Sequence, residues 1–180
     1  MLYDGWPVHP NGNVLWDYAA QHKFKVFGTS AKFIEGCQKG GITLATTYYL
    51  SELKTILSTG SVLFPEGFDY VYEHVKKDIC LASIAGGTYL VACLVGGDPT
   101  NAVYCDEIQA PMLGTDTATL LEGGTRAPVG EKCDLCCLKP RPSLPLGFWY
   151  DPDGSRYHPA YYDVYPNIWR HGDMATMRRS

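Results

Sequence analysis

Residues 83–97 read SIAGGTYLVACLVGG, and the fold turns on how this stretch is understood. An apolar run over 79–84 arrives at two adjacent glycines, Gly86 and Gly87, followed by Thr88 and Tyr89. A strand ending in Gly-Gly-Thr can present backbone N–H groups and a hydroxyl to a phosphate. The same residues can equally form a bend between two strands, where glycine admits a close backbone approach. The residues alone leave both readings open.

Upstream, strand-like and helix-like segments alternate. Asn13 stands before Val14, Leu15, Tyr18 and Ala19, which share a helical face, and it reads as an N-cap. Residues 25–27 read as a strand and 30–36 as a short helix, with a loop over 39–51. Residues 54–57 give a further strand, ending at Ser58-Thr59-Gly60-Ser61. Pro65 and Glu66 open a helix whose Phe68, Val71, Tyr72 and Val75 fall at i, i+3, i+4 and i+7. Lys76 and Lys77 close it at the negative end of its dipole. With residues 1–3 as a leading strand and 79–84 as the next, this βαβα rhythm predicts an α/β fold with a mostly parallel sheet.

Past about residue 100 the helical period fades. Short strand candidates at 102–104, 119–121 and 134–138 are separated by Gly and Pro, and Asp151-Pro152-Asp153-Gly154 is a strong turn signal. Residues 148–169 are rich in aromatic side chains, which suits a small ring-packed barrel or sandwich. The predicted organisation is an α/β unit over 1–97 and a small β-barrel-like unit over 98–180, with a soft boundary near 97–101.

Composition narrows the function. The 180 residues are 46% hydrophobic and 19% charged, with a net charge of −4. This favours a buried core over disorder and argues against a broad cationic face for nucleic acid. No run reaches the ~20 apolar residues of a membrane helix, and no signal peptide is read, so the cytosol is the default compartment. The seven cysteines are expected to be reduced, mostly buried small hydrophobes. Cys133-x-x-Cys136-Cys137 lacks the second ligand pair that a structural zinc needs, and on a strand Cys136 and Cys137 point to opposite faces. His9, His22, His74, His158 and His171 have no nucleophile signature beside them and read mostly as surface or loop residues.

Several segments taken together resemble one family. LYDGWP (2–7), LKTILSTGSVL (53–63), SIAGGTYL (83–90), EIQAPMLG (107–114), GEKCDL (130–135), KPRPSLPLGFWYDPDGS (139–155) and WRHGD (169–173) occur in the order seen in acetoacetyl-CoA synthetases, of the adenylate-forming superfamily. The resemblance implies part of an adenylate-forming N-terminal domain: an incomplete α/β sheet unit followed by a small β-rich lobe. It implies a reaction in which ATP and acetoacetate give an acyl-adenylate and pyrophosphate, with Mg²⁺ assisting, after which CoA displaces AMP. It places Gly60, Ser61 and Val62 on the adenine side of a nucleotide pocket. It places Ser83, Ile84, Ala85, Gly86 and Gly87 beside the base, the Thr88 hydroxyl on the α-phosphate, and Asp173 on the two ribose hydroxyls. Two adjacent hydroxyl donors suit one two-oxygen acceptor.

The departures from the family pattern matter as much. The family's SGGTD becomes AGGTY, so Tyr89 stands where an acid helps hold Mg²⁺ and does not supply its charge. The family's Gly-Glu-Leu becomes Cys133-Asp134-Leu135, and a glycine at the first position can serve a special backbone angle. The family's phosphate loop and its C-terminal domain, with the lysine that drives adenylation, have no counterpart in these residues. The expectation is a synthetase-like chain without independent activity, with no catalytic residue and no metal ligand assigned. The alternative is a non-catalytic binding or interaction module that keeps at most a weak adenine-nucleotide pocket. An orphaned sheet edge, exposed apolar faces and marginal stability should accompany either.

Overall fold

The structure, a computed structural model, describes residues 1–46 and 50–179. Thr47, Tyr48 and Tyr49 of the loop expected over 39–51 lie outside the described residues. The chain forms two compact units. One holds Met1–Ile84 and Gly96–Ala110, the other Ala85–Val95 and Pro111–Ser180. The sequence suggests a single passage near 97–101; the chain crosses at 84–85, 95–96 and 110–111.

The first unit is α/β. Helix α1 (Val14–Gln21) precedes strand β1 (Val26–Ser30), helix α2 (Ala31–Lys39), strand β2 (Thr55–Thr59), helix α3 (Pro65–Tyr70) and strand β3 (Cys80–Ser83). The strands lie in the order β1-β2-β3, all parallel. The register aligns Phe27, Ile56 and Leu81 across the sheet, and all three are buried. Each such burial stabilises by about 1.5–3 kcal/mol, so this row anchors the sheet. Trp16 of α1, fully buried, packs 4.7 Å from the Phe27 ring and 5.8 Å from Phe33 of α2. Its indole N–H donates to Cys37 Sγ at 3.5 Å, and burial pushes that thiol's pKa up.

The helix starts follow local chemistry. Ser30 ends β1 and caps α2, its hydroxyl accepting from Phe33 N–H at 3.1 Å. Asn13 does not act as the cap expected of it. Its own N–H donates to the Asn11 side chain at 2.9 Å, so an Asx turn begun two residues earlier opens α1. Pro65 sits in the first turn of α3 as predicted, but the helix then widens into a π segment, Val71–Val75. The widened turn buries Tyr70 beside Phe68, Val71 and Val75 and leaves Tyr72 only half-buried. The His74 carbonyl accepts from Leu44 and Ala45 N–H, at 2.7 and 3.0 Å. Lys76 leaves the helix axis altogether. Its ammonium binds the carbonyls of Leu50, Ser51 and Leu53, at 2.9, 3.1 and 2.5 Å, and holds the approach to β2.

Two strands expected from sequence are not formed. Residues 1–3 are irregular and pair with no strand; Leu2 is almost wholly exposed. Residues 102–104 are irregular, and a side chain takes the backbone groups at the start of this stretch. Gln109 Nε2 donates to the carbonyls of Asp98, Asn101 and Ala102, at 2.8, 3.1 and 3.2 Å, and its Oε1 accepts from Asp98 N–H.

The second unit is β-rich. Strand β4 (Ala85–Gly87) turns through 88–91 into β5 (Ala92–Gly96), which is followed in its sheet by β6 (Ala110–Pro111). A second antiparallel sheet has the order β7-β8-β9, from Thr117–Leu120, Lys132–Cys137 and Trp169–Thr176. The expected strands at 119–121 and 134–138 thus begin two residues early. Helix α4 (Tyr157–Tyr161) has no helical period to announce it. It is started by the predicted turn: Asp151 accepts from Arg156 and Tyr157 N–H, at 3.1 and 2.9 Å. The aromatic residues pack on one another as expected, with Tyr161 stacked on Trp169 at 3.6 Å.

Two glycines of different situation test this packing. A Cβ at Gly86 would lie 2.2 Å from the Ala92 carbonyl oxygen and 2.6 Å from Cys93 Cα, both backbone. Gly86→Ala should cost about 3 kcal/mol or prevent folding. Gly36, exposed within α2, has nothing within 4 Å of such a Cβ. Gly36→Ala should stabilise by about 0.5–1 kcal/mol. Urea unfolding of both variants checks the pair.

Candidate functional site

The first unit contributes the ends of its parallel strands. In an open α/β sheet, ligands bind beyond the carboxyl ends of the strands. Here those ends are Ser30, Thr59 and Ser83. Gly60 follows β2 with φ +85°, a left-handed angle that suits glycine and turns the chain off the sheet. Ser61 and Val62 come next and are exposed, Val62 by 65%. Ser58 stands opposite Ser83, and Ile84 N–H donates to the Ser58 carbonyl at 2.9 Å. The structure therefore brings Ser83 and Ile84 alongside the strand that delivers Gly60, Ser61 and Val62.

The second unit contributes Ala85, Gly86, Gly87 and Thr88. The stretch that began as a choice between phosphate loop and bend is, in conformation, a tight hairpin. Ala85, Gly86 and Gly87 form β4, with an irregular register between Ala85 and Gly86. Gly86 is glycine because the β5 backbone lies against it. Thr88 opens the turn and is exposed, and Val91 closes it with φ +47°. Tyr89 turns its ring to the aromatic residues, 5.2 Å from Phe148 and 6.5 Å from Tyr161. It thus offers a ring face and a phenol where the resemblance expects a metal-binding carboxylate.

Asp173 lies in the same unit, on β9, with its side chain 69% exposed. Its backbone is irregular. Arg170 pairs with Cys136 and Met174 with Asp134, so His171, Gly172 and Asp173 together stand opposite Leu135 alone. Gly172 carries φ +97° within this bulge. Bulges re-aim side chains, and this one presents Asp173 at the surface while the His171 side chain is 8% exposed. His171 is thus an exception among the histidines expected at the surface. Its Nε2 lies 3.3 Å from Asp173 Oδ2, and a Cβ at Gly87 would meet its Cε1 at 3.3 Å. His171 therefore links the glycine strand to the aspartate. It sits inside WRHGD; what no sequence pattern reveals is the contact with Gly87, 84 positions earlier.

The foot of the bulge is held by charge. Asp134 of β8, mostly buried, accepts from Arg170 at 3.0 Å and from the Tyr165 hydroxyl at 2.9 Å. Arg170 holds its carboxyl below the usual carboxylate range, and the Tyr165 hydroxyl adds to that effect. Burial and the adjacent carboxylate push Tyr165 up to about 12. Cys133, where a glycine would suit a special angle, pairs with Ala175 in β8 and has no positive φ, so this position needs no glycine. Cys133, Cys136 and Cys137 are buried and free, and burial pushes Cys136 up to about 12. Among the described residues no group of three or more His, Cys, Asp or Glu side chains could hold a metal ion. No helix among them is long and apolar enough to cross a membrane.

No protein-family model matches the chain. It is 53% identical to an acetoacetyl-coenzyme A synthetase of Rhizobium meliloti (strain 1021), over 97% of this chain and 27% of that protein. It is 43% identical to the acetoacetyl-CoA synthetase of Xenopus tropicalis, over 98% of this chain and 26% of that protein. Among solved structures it superposes on an acetoacetyl-CoA synthetase from Streptomyces lividans with a TM-score of 0.88 and 40% identity. That match covers 97% of this chain and 27% of the other. The chain spans about a quarter of the length of the relatives it matches.

The Asp134 cluster makes a pH prediction. A carboxyl whose folded pKa is lowered stabilises the fold above its unfolded pKa, and that contribution fades as pH falls through the folded value. Asp134→Asn should lower stability by about 1–2 kcal/mol near pH 7, since Arg170 is partly exposed and screened. The gap to the parent chain should close on acidification below the ordinary carboxylate range. Urea midpoints of both proteins across that range check it.

Proposed function

We propose that this chain, homologous to the acetoacetyl-CoA synthetases over about a quarter of their length, carries the adenosine-facing part of a nucleotide site. Gly60, Ser61, Val62, Ser83 and Ile84 are the candidate nucleotide residues of the first unit. Ala85, Gly86, Gly87, Thr88 and Asp173 are those of the second. The observation that carries the reading is within the second unit: His171 bears on both Gly87 and Asp173, making neighbours of the two candidate nucleotide motifs. In this assignment the Asp173 carboxylate accepts from both ribose hydroxyls, and the exposed Thr88 hydroxyl donates to the α-phosphate.

The reaction this assignment serves is the family's: ATP, acetoacetate and CoA to acetoacetyl-CoA, AMP and pyrophosphate. ATP, acetoacetate and CoA are the implied partners. Mg²⁺ would neutralise phosphate charge in that chemistry. The residue after Thr88 does not fit it here, because Tyr89 packs with Phe148 and provides no carboxylate. In this reading the chain binds adenine nucleotide without turnover; the missing carboxylate after Thr88 contributes to that, since one lost charge-stabilising group costs about 3 kcal/mol. A second reading, a non-catalytic interaction module, is favoured by the exposed Leu146, Trp149 and Tyr150 on one loop.

Calorimetry tests the nucleotide reading. AMP should bind the chain, with affinity falling about 10- to 100-fold in Asp173→Ala and less in Thr88→Ala. No AMP binding would favour the interaction module. A pyrophosphate assay with ATP, Mg²⁺, acetoacetate and CoA should show no turnover; turnover abolished by Asp173→Ala would overturn the inactive assignment. Mg²⁺ should raise ATP affinity in Tyr89→Asp and leave the parent chain unaffected.

A further inference from the structure

We infer that His171 is a positioning residue for the Asp173 carboxylate, and that Gly87 lacks a side chain so that the His171 ring can occupy that place. The inference rests on the nucleotide reading above and adds residues to it. Asp173 is mostly exposed, and an exposed aspartate samples several rotamers. His171 differs: its side chain is almost fully enclosed, with Nε2 3.3 Å from Asp173 Oδ2. A fixed neighbour of that kind lowers the ordering cost of presenting two oxygens to a diol.

The ring carbon next to Nε2 has no slack either. A Cβ at Gly87 would stand 3.3 Å from His171 Cε1, tighter than an ordinary contact, so a methyl there must push the imidazole by a few tenths of an ångström. The remaining partners are fixed independently. Gly172, with φ +97°, holds the bulge that sets His171 and Asp173 apart in exposure. Arg170, the adjacent cation, is held by Asp134 at 3.0 Å. Gly87 and Asp173 are thus coupled through one ring, and the ligand chemistry this serves is a vicinal diol, as on a ribose.

The test uses the full 180-residue chain, with AMP and 2′,3′-dideoxy-AMP as probes in calorimetry. His171→Ala should weaken AMP about three- to tenfold and leave dideoxy-AMP unchanged. His171→Gln should keep most of the AMP affinity. Gly87→Ala should reproduce the ribose-selective loss, yet add little to His171→Ala because the ring it displaces is already gone. Equal losses for both nucleotides, or additive losses in the double variant, would overturn the inference and leave the nucleotide reading standing. A second readout needs no ligand: the His171 ring resonances in NMR should shift in both Asp173→Asn and Gly87→Ala. Unmoved resonances in either would overturn the coupling whatever the affinities. A parent chain that binds no AMP would overturn the nucleotide reading, and the ribose role with it.

Discussion

Among the described glycines of the second unit, Gly86 has the tightest surroundings, and they are backbone. Gly86 lies so near Ala92 and Cys93 that a single methyl would stand 2.2 Å from a carbonyl oxygen. That approach permits the β4–β5 hairpin at the point where the chain leaves the first unit for the second. The neighbouring glycine then leaves its own face bare, and the His171 ring fills it. His171 in turn stands against Asp173. One pair of side-chain-free residues thus determines both a chain reversal and the setting of a carboxylate on another strand.

A strand that carries such a carboxylate must be irregular at one place and firm beside it. In β9 the irregularity is the bulge at His171, Gly172 and Asp173. The firmness comes from Asp134, which takes Arg170 and Tyr165 together just before the bulge. Partly enclosed and opposite in charge, Asp134 and Arg170 hold the strand where its ladder is interrupted. The Tyr161–Trp169 stack anchors the start of the same strand. Bending a sheet removes ladder hydrogen bonds, and these contacts compensate locally.

Much of the first unit was legible beforehand because its signals are local. Strand period, the Ser30 cap and Pro65 at a helix start each act within a few residues. The misreadings share another cause. Asn13 yielded to Asn11, whose side chain offered an earlier turn. Residues 102–104 look like a strand, but Gln109 reaches back and takes the carbonyls of Asn101 and Ala102. Tyr72 lost burial when a π turn changed the helical period. Lys76 looked like a dipole partner and instead binds three carbonyls of a preceding loop. In three of these cases a polar group chose among partners that sequence spacing does not rank, and in the fourth the helical period itself changed.

The sequence by itself determined the alternation that makes the first unit α/β, the aromatic packing of the second, and the resemblance through which Asp173 and the Gly86-Gly87-Thr88 run became candidates. These depend on periodicity and on residue order, which survive in one dimension. Only the tertiary structure decided that the Gly-Gly-Thr run is a hairpin, that Gly86 is bare for a backbone and Gly87 for an imidazole, and that His171 joins Gly87 to Asp173. The last of these rests on a distance of about 3 Å between residues 84 positions apart. Sequence spacing carries no such information, because it is the packing of one strand against another that sets which groups meet.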